Sequence, residues 1–113
     1  MKDIRFYVCP VCGSVTISTG DTKVSCCGRE LRAEDVGVSR GIRAEASGGI
    51  YHVSCGHPME EGHYFSFFAA ESDDSVQYVR LHPGERPEAK FLMEGVKRIY
   101  VYCTVHGLYA KSV

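Results

Sequence analysis

The chain has 113 residues, a net charge of −1 and a pI near 6.5. This length allows one ordinary domain, or a very small domain joined to a modest one, and the near-neutral charge argues against nucleic-acid binding, which is typically accompanied by a basic patch and a high pI. No apolar run approaches the roughly 18 residues that a membrane span needs. The first residues also lack the pattern of a secretory leader, so we expect a cytoplasmic protein with no nucleic-acid or membrane partner.

Short runs rich in β-branched and aromatic residues predict strands along most of the chain. In chain order they cover residues 4–8, 15–17, 23–25, 50–54, 64–70, 76–81, 89–93, 97–105 and 107–111. Only residues 29–36 and 58–62 could hold a helical turn. Several short strands separated by turn signals are typical of a small β-sandwich. We therefore predict an all-β protein, with a metal-held ribbon over residues 1–33 followed by a β-sandwich over residues 34–113.

Four cysteines near the N-terminus form two close pairs, Cys9-x-x-Cys12 and Cys26-Cys27. A spacing of two lets both sulfurs of the first pair approach one ion, and Gly13 suits the positive φ of such a turn. Adjacent strand residues point to opposite faces, so the second pair reaches the same ion only if the chain turns, which Gly28 permits. In a reducing compartment the pattern favours a metal over disulfides. We predict a tetrahedral four-thiolate site for iron or zinc and call it the cysteine centre.

A second set of donors lies in two short segments further along the chain, and its members are His57, His63, Cys103 and His106. Pro58 can start one helical turn that folds the chain back, so that His63 approaches the ion held by His57. A loop or a helical turn near Thr104 would align Cys103 with His106. A soft thiolate with several imidazoles suits iron, copper or zinc. Each residue alone is more often a solvated histidine or a buried cysteine, but together they predict a second metal site, which we call the histidine–cysteine centre.

These motifs resemble the desulfoferrodoxin family, the two-domain form of superoxide reductase, over nearly the full chain. The cysteine centre, ending in Cys26-Cys27-Gly28, resembles the family's desulforedoxin-type domain. The catalytic domain of the family is similar in the segments Gly48-Gly49, His57-Pro-Met-Glu-Glu61, His63-Tyr64 and Cys103-x-x-His106-Gly107. The resemblance implies an Fe(Cys)₄ centre and an immunoglobulin-like β-sandwich. It also implies a square-pyramidal iron with four equatorial histidines, among them His57, His63 and His106, and with Cys103 as the axial ligand.

The same resemblance implies an activity and partners. Ferrous iron at the histidine–cysteine centre would reduce superoxide to hydrogen peroxide, using one electron and two protons and releasing no dioxygen. An electron-donor protein such as rubredoxin would return the electron, the first iron would be accessory, and the chain would form a homodimer. Zinc could substitute for iron at either centre.

One segment of the family is missing. Its catalytic domain carries a Glu-Lys-His-x-Pro motif that supplies the first equatorial histidine, a lysine that assists turnover and a glutamate that closes the sixth position, whereas residues 28–49 contain no histidine. The fourth position could be filled by His52, by His82, by water or by no ligand. The lost positive charge could be replaced by a set of arginines that otherwise form a solvated basic loop, namely Arg29, Arg32, Arg40 and Arg43. The sixth cysteine, Cys55, either lies near the metal or fills a core position.

Two hypotheses follow from these motifs. In the first, the protein is a superoxide reductase-like iron protein whose catalytic residues are the four members of the histidine–cysteine centre. In the second, it is a non-catalytic metalloprotein of the same fold, in which the cysteine centre transfers electrons or only stabilises the structure and the other centre is degenerate.

Overall fold

The computed structural model describes residues 4–20, 22–38 and 41–113, and within these ranges it contains twelve β-strands and no helix. The chain divides into two compact units, Met1–Asp35 and Val36–Val113. The all-β class predicted from the sequence is therefore confirmed. Among the described residues there is no helix long and apolar enough to cross a membrane.

The first unit consists of two short antiparallel hairpins. Its strands are β1 (Arg5–Val8) paired with β2 (Val15–Ser18), and β3 (Val24–Cys26) paired with β4 (Arg29–Leu31). The helical turn allowed for residues 29–36 is wrong, because the chain reverses after Cys26 and pairs residues 29–31 with β3. Cys9 and Cys12 lie in the turn of the first hairpin, and Cys26 and Cys27 lie at the turn of the second. The two cysteine pairs can therefore meet although they are far apart in the sequence.

The second unit is a sandwich of two sheets. Its strands are β5 (Val36–Val38), β6 (Ile42–Ser47), β7 (Ile50–Cys55), β8 (Phe65–Glu71), β9 (Val76–Arg80), β10 (Glu88–Leu92), β11 (Arg98–Cys103) and β12 (Gly107–Ser112). One sheet has the order β10-β7-β6 and the other the order β5-β12-β11-β8-β9. All pairings are antiparallel except that of β5 with β12. The β-sandwich predicted for this part of the chain is confirmed.

The hydrophobic core of the second unit lies between the two sheets. Inward-facing residues of the smaller sheet include Ile42, Val53 and Phe91, and those of the larger sheet include Phe68, Ile99 and Val101. Because alternate residues of a strand share a face, β7 also directs Tyr51 and Cys55 inward. Burial of one large apolar side chain contributes roughly 1.5–3 kcal/mol to the free energy of folding. Because β7 and β11 both contribute side chains to this core, its packing fixes the strand ends next to which the histidine–cysteine centre lies.

A carboxylate is buried in the larger sheet, at the end of β8 remote from Phe65. Glu71 is 1% exposed, and it accepts a hydrogen bond of 2.7 Å from the Tyr100 hydroxyl. Arg98 lies 3.5 Å from the same carboxylate. Burial raises the pKa of Tyr100 to about 12, and the neighbouring Glu71 adds to the shift while Arg98 opposes it. The charge is thus paired and hydrogen-bonded, as a buried carboxylate must be.

Candidate metal centres

The cysteine centre assembles in the first unit. One ligand atom from each of Cys9, Cys12, Cys26 and Cys27 lies within 4.8 Å of the others. The sulfurs of Cys12 and Cys26 are 3.5 Å apart, and those of Cys26 and Cys27 are 3.8 Å apart. All four cysteines are free thiols. Four sulfurs at these separations form the tetrahedral donor set that zinc and iron prefer.

Two tight turns bring these sulfurs together. In the first, the Gly13 amide donates to the Cys9 carbonyl at 2.9 Å, and Gly13 has φ 74° as its sequence position predicted. In the second, both Cys27 (φ 53°) and Gly28 (φ 77°) adopt left-handed backbone conformations. Cys27 is a non-glycine residue in this region, which costs roughly 1–2 kcal/mol. This backbone strain occurs at the position where the chain must turn so that the sulfurs of two adjacent cysteines face the same site.

The four sulfurs do not carry their charge equally. Hydrogen bonds from Ser14, whose hydroxyl lies 3.1 Å from the Cys12 sulfur, lower the pKa of Cys12 to about 6. The neighbouring Cys12 and Cys9 sulfurs raise the pKa of Cys27 to about 12. The pKa of Cys9 is also lowered and that of Cys26 raised, so the thiolate form is favoured at the first cysteine pair and disfavoured at the second, and a bound cation would favour it at all four.

The histidine–cysteine centre assembles in the second unit, at one end of the sandwich. One ligand atom from each of His57, His63, Cys103 and His106 lies within 4.8 Å of the others. Cys103 is only 1% exposed and comes from the end of β11, whereas the histidines lie in the loops that follow β7 and β11. The centre thus has a buried sulfur at its base and imidazoles towards the surface.

His57 is oriented by its own loop. Its Nδ1 lies 2.6 Å from the Pro58 carbonyl oxygen, and since a carbonyl only accepts, Nδ1 carries the proton and donates. The ring stacks on Phe65 with the ring centres 3.9 Å apart. Burial lowers the pKa of His57, the nearby His63 and His106 lower it further, and the bond to Pro58 opposes the shift. These contacts favour a neutral imidazole whose Nε2 lone pair is available, the form that binds metals.

His63 reaches the centre through a hairpin rather than through a helical turn. Glu60 and His63 form an isolated antiparallel bridge with reciprocal backbone hydrogen bonds of 3.1 and 3.0 Å, and Gly62 between them has φ 86°. The helical turn expected over residues 58–62 is therefore wrong, although the predicted consequence, a chain reversal that returns His63 to His57, is observed. The rings of His57 and His63 are 4.8 Å apart.

Thr104 joins the two segments that carry the donors. Its Oγ1 accepts a hydrogen bond from the Tyr64 amide at 3.2 Å and donates to the Gly62 carbonyl at 3.4 Å, and its amide donates to the Tyr64 carbonyl at 3.0 Å. Sequence reasoning missed this role, and the only signal was the position of Thr104 between Cys103 and His106. The contacts fix the His63 loop against the end of β11.

Near Thr104 the sequence predicted either a loop or a helical turn that would align Cys103 with His106, and the structure has a loop there. It is a turn over residues 104–106, and Gly107, the residue that follows the turn, has φ 95°. The Cys103 sulfur lies 3.4 Å from Nδ1 of His106 and accepts a hydrogen bond of 3.4 Å from the Val105 amide. These contacts hold the sulfur in place beside the His106 ring.

The donor set fits a metal ion. The Nε2 atoms of His57 and His63 are buried and have no hydrogen-bond partner among the described residues. Buried polar atoms in proteins are nearly always partnered, and two imidazole lone pairs beside a thiolate would be satisfied by one cation. Nitrogen and sulfur donors of this kind suit iron, zinc or copper rather than magnesium or calcium.

Sequence similarity to known proteins identifies the family of this chain. A desulfoferrodoxin homologue from Archaeoglobus fulgidus is 31% identical to this chain, with 94% of each chain covered. A desulfoferrodoxin from Desulfarculus baarsii is 32% identical, with 92% of each covered. The chain belongs to the desulfoferrodoxin family. No family model matches it.

Solved structures support the fold assigned to this desulfoferrodoxin-family chain. The superoxide reductase from Treponema pallidum matches with a TM-score of 0.89 and 22% identity, over 99% of this chain and 100% of the other. A superoxide reductase from Giardia intestinalis matches with a TM-score of 0.55 and 22% identity, over 71% of this chain. The resemblance stated from the sequence motifs is confirmed at the level of family and fold.

Neither histidine considered as a fourth ligand joins the histidine–cysteine centre. His52 is exposed on β7 and pairs across the sheet with Glu45 and Lys90. His82 is exposed, and its Nδ1 lies 2.9 Å from the Glu85 carboxylate. Within the described ranges, the group contains four donors and no further histidine.

The arginines proposed as a replacement for the family's lysine do not form one loop. Arg29 and Arg32 belong to the first unit, whereas Arg43 lies on β6 with its side chain 74% exposed, 3.7 Å from the Glu45 carboxylate. Arg40 lies outside the described residues. Arg43 therefore fits the solvated alternative.

A cavity of about 500 Å³ adjoins the histidine–cysteine centre. Its wall includes three of the four donors, His57, Cys103 and His106, and also Cys55. Cys55 packs against the hydrophobic core, as one of the two sequence alternatives expected, and burial raises its thiol pKa, with the negative charge of Cys103 adding to the shift. The sixth cysteine therefore lies both at the core and beside the centre.

Proposed function

We propose that this protein is a superoxide reductase. The histidine–cysteine centre would hold iron through His57, His63, His106 and Cys103, and there superoxide would take up one electron and two protons to give hydrogen peroxide. The cysteine centre would hold a second iron with an accessory role. The supporting observation is the convergence of three imidazoles and one thiolate on one point, with two buried nitrogen atoms left without partners among the described residues.

The side chains divide the work between them. Iron bound at the centre would supply the single electron for superoxide. The Val105 amide donates to the Cys103 sulfur and holds it in place, while the Pro58 carbonyl and Phe65 hold the His57 ring in one orientation. His106 is exposed, so the centre lies within reach of solvent, which supplies the two protons and admits the anion.

Superoxide consumption by the iron-loaded full chain tests the proposal. We expect the wild type to consume superoxide and release peroxide without dioxygen. His57→Ala and Cys103→Ser should each lose most of this activity, because removal of a metal ligand weakens iron binding by at least about tenfold. Mutation of groups that only hydrogen-bond to metal ligands already lowers metal affinity by about that factor. His82→Ala, which removes an exposed histidine outside the centre, is the matched control. Equal rates in all four proteins would end the proposal.

The number of donors favours a second candidate. Three nitrogens and one sulfur complete a tetrahedral shell for zinc, as in closed structural sites, and the described residues offer no fifth member of the group. In that case the protein would be a non-catalytic metalloprotein, with electron transfer or stabilisation left to the cysteine centre. Metal analysis and a visible spectrum of the anaerobically purified and then oxidised protein distinguish the two, since a ferric thiolate–histidine site adds a band separate from that of a four-thiolate iron centre, whereas zinc adds none.

The remaining features of the proposal concern partners. We infer that an electron-donor protein such as rubredoxin restores the reduced centre, that the chain works in the cytoplasm and that it forms a homodimer. Support for these comes from family membership alone. Sedimentation of the purified chain tests the dimer, and reduction of the peroxide-oxidised protein by purified rubredoxin tests the donor.

A further inference from the structure

We propose that Met59 is a positioning residue for the histidine–cysteine centre, and that it acts through a hydrogen bond accepted by its sulfur. The proposal rests on the proposed function only in taking that centre as a metal site. It assigns a role to the third residue of the sequence His57-Pro-Met59, whose side chain is not a member of either group of donors.

The sulfur of Met59 accepts a hydrogen bond from the first residue of β8. The Phe65 amide lies 3.4 Å from Sδ of Met59. The pairing of β8 with β9 begins only at Phe67, so Phe65 lies beyond that ladder. Phe65 is 3% exposed, and a buried backbone amide is nearly always hydrogen-bonded. The thioether, in general a weak acceptor, therefore takes the place that a strand carbonyl has further along β8.

This hydrogen bond connects Met59 with the ligand His57 through one aromatic ring. Phe65 stacks on His57 with the ring centres 3.9 Å apart, and the side chain of Met59 packs against the hydrophobic core to which Phe65 belongs. A shift of the Phe65 backbone would therefore move the surface on which the imidazole lies. The direction of Nε2 of His57, the nitrogen available to a cation, would change with it.

The backbone around His57 is held separately, by the loop that joins β9 to β10. The Gly84 amide donates to the Met59 carbonyl at 2.7 Å, and the Cys55 amide donates to the Pro87 carbonyl at 3.2 Å. These bonds lie two residues after and two residues before His57. Because neither of them involves the Met59 side chain, a substitution of Met59 removes the sulfur acceptor while both backbone bonds can stay in place.

Zinc affinity of the full chain separates positioning from space-filling. Met59→Leu keeps the apolar volume and removes the acceptor. We expect its affinity at the histidine–cysteine centre to fall by about tenfold, the lower end of the loss seen when groups that orient metal ligands are removed. Met59→Gln returns an oxygen acceptor on a side chain of similar length, and should restore most of the lost affinity.

Competition with a chromogenic chelator measures both centres in each sample, and the affinity of the cysteine centre should not change. Met93→Leu is the matched control, because it makes the same substitution at a partly buried methionine that follows β10. Equal zinc affinities of Met59→Leu and the wild type overturn the proposal. So do equal losses in Met59→Leu and Met59→Gln, since the acceptor would then have no effect.

A second measurement observes the hydrogen bond itself and does not depend on bound metal. Hydrogen exchange of single amides is followed by NMR in the wild type and in Met59→Leu. The Phe65 amide should lose most of its protection in the variant, whereas the Phe68 amide, inside the strand ladder, should keep its own. Unchanged protection at Phe65 contradicts the role of Met59 while leaving the metal centre intact. Binding of a single zinc equivalent by the wild type, at the cysteine centre only, contradicts both this inference and the proposed function.

Discussion

At the scale of single residues, Thr104 shows how a side chain that is not itself a metal ligand can determine whether a metal site forms. Its hydroxyl bridges the Tyr64 amide and the Gly62 carbonyl, and so ties the loop of His63 to the loop of His106. The backbone bond between Thr104 and Tyr64 also joins the two loops, but it does not reach Gly62. Groups that orient metal ligands in this way commonly account for about 10- to 100-fold of metal affinity.

Thr104→Val should therefore weaken metal binding at the histidine–cysteine centre by about 10- to 100-fold while leaving the cysteine centre unchanged. The valine keeps the shape of threonine and removes only the hydroxyl. Competition between the protein and a chromogenic zinc chelator measures both affinities. Thr16→Val, an exposed change on β2, is the matched control. An affinity equal to that of the wild type at both centres would show that the bridge is dispensable.

At the scale of elements, the hairpin of β6 and β7 shows where sequence patterns succeed and where they fail. β7 was predicted because it is rich in β-branched and aromatic residues, but β6 was missed, since the segment from Ile42 to Ser47 has the composition of a polar loop. Its strand form depends on pairing with β7 and on burial of Ile42, which local propensity does not reveal. Gly48 and Gly49, with φ of 59° and 81°, close the hairpin as a two-residue turn and were the available signal.

Gly49→Ala should destabilise the protein by about 1–2 kcal/mol, because a side chain in the left-handed region is strained even where space is open around it. Chemical denaturation followed by circular dichroism gives the free energy of unfolding. Gly56→Ala is the matched control, since that glycine also has open space around it but no positive φ. Equal stabilities of the two variants would argue against a strained turn at Gly49.

For both metal centres the sequence predicted the candidate donor residues better than the backbone conformation that brings them together. Spacing alone indicated both groups of candidate donors, because Cys9-x-x-Cys12 and Cys103-x-x-His106 place pairs of possible ligands within one turn of chain. What spacing could not give was the conformation that brings them together. Pro58 indicated a helical turn, whereas the backbone bridge between Glu60 and His63 forms a hairpin. For Cys55 the sequence left open a core position and a position near the metal, because the outcome depends on which face of β7 meets the opposite sheet, and the structure shows it packed against the core and beside the centre.

At the scale of the whole molecule, the two units differ in what holds them together. The second has a core between two sheets, whereas the first, Met1–Asp35, contains only two short hairpins. Domains below roughly 40 residues usually need a metal, disulfides or a partner to fold, and the cysteines here are free thiols. A metal bound at the cysteine centre would therefore contribute much of the stability of the first unit.

Loss of the first metal should unfold the first unit selectively. In Cys12→Ser, or after treatment with a strong chelator, we expect amides of β1 to β4 to lose most of their protection from hydrogen exchange, while those of β8 and β11 keep theirs. Hydrogen exchange read by mass spectrometry on the full chain resolves the two. Cys103→Ser, which leaves the first four cysteines intact, should not expose β1 to β4. Retained protection throughout the chelated protein would contradict a metal-dependent first unit.

The hydrogen bond between Tyr64 and Thr104 spans forty positions of the chain. During synthesis on the ribosome, the first twenty-seven residues suffice to present all four thiols of the cysteine centre. The histidine–cysteine centre, by contrast, requires the pairing of β8 with β11, because its sulfur lies at the end of β11 and His106 in the turn that follows. The four thiols are thus synthesised before the second set of donors, so the cysteine centre would be able to bind a cation while the residues of β11 were still being added.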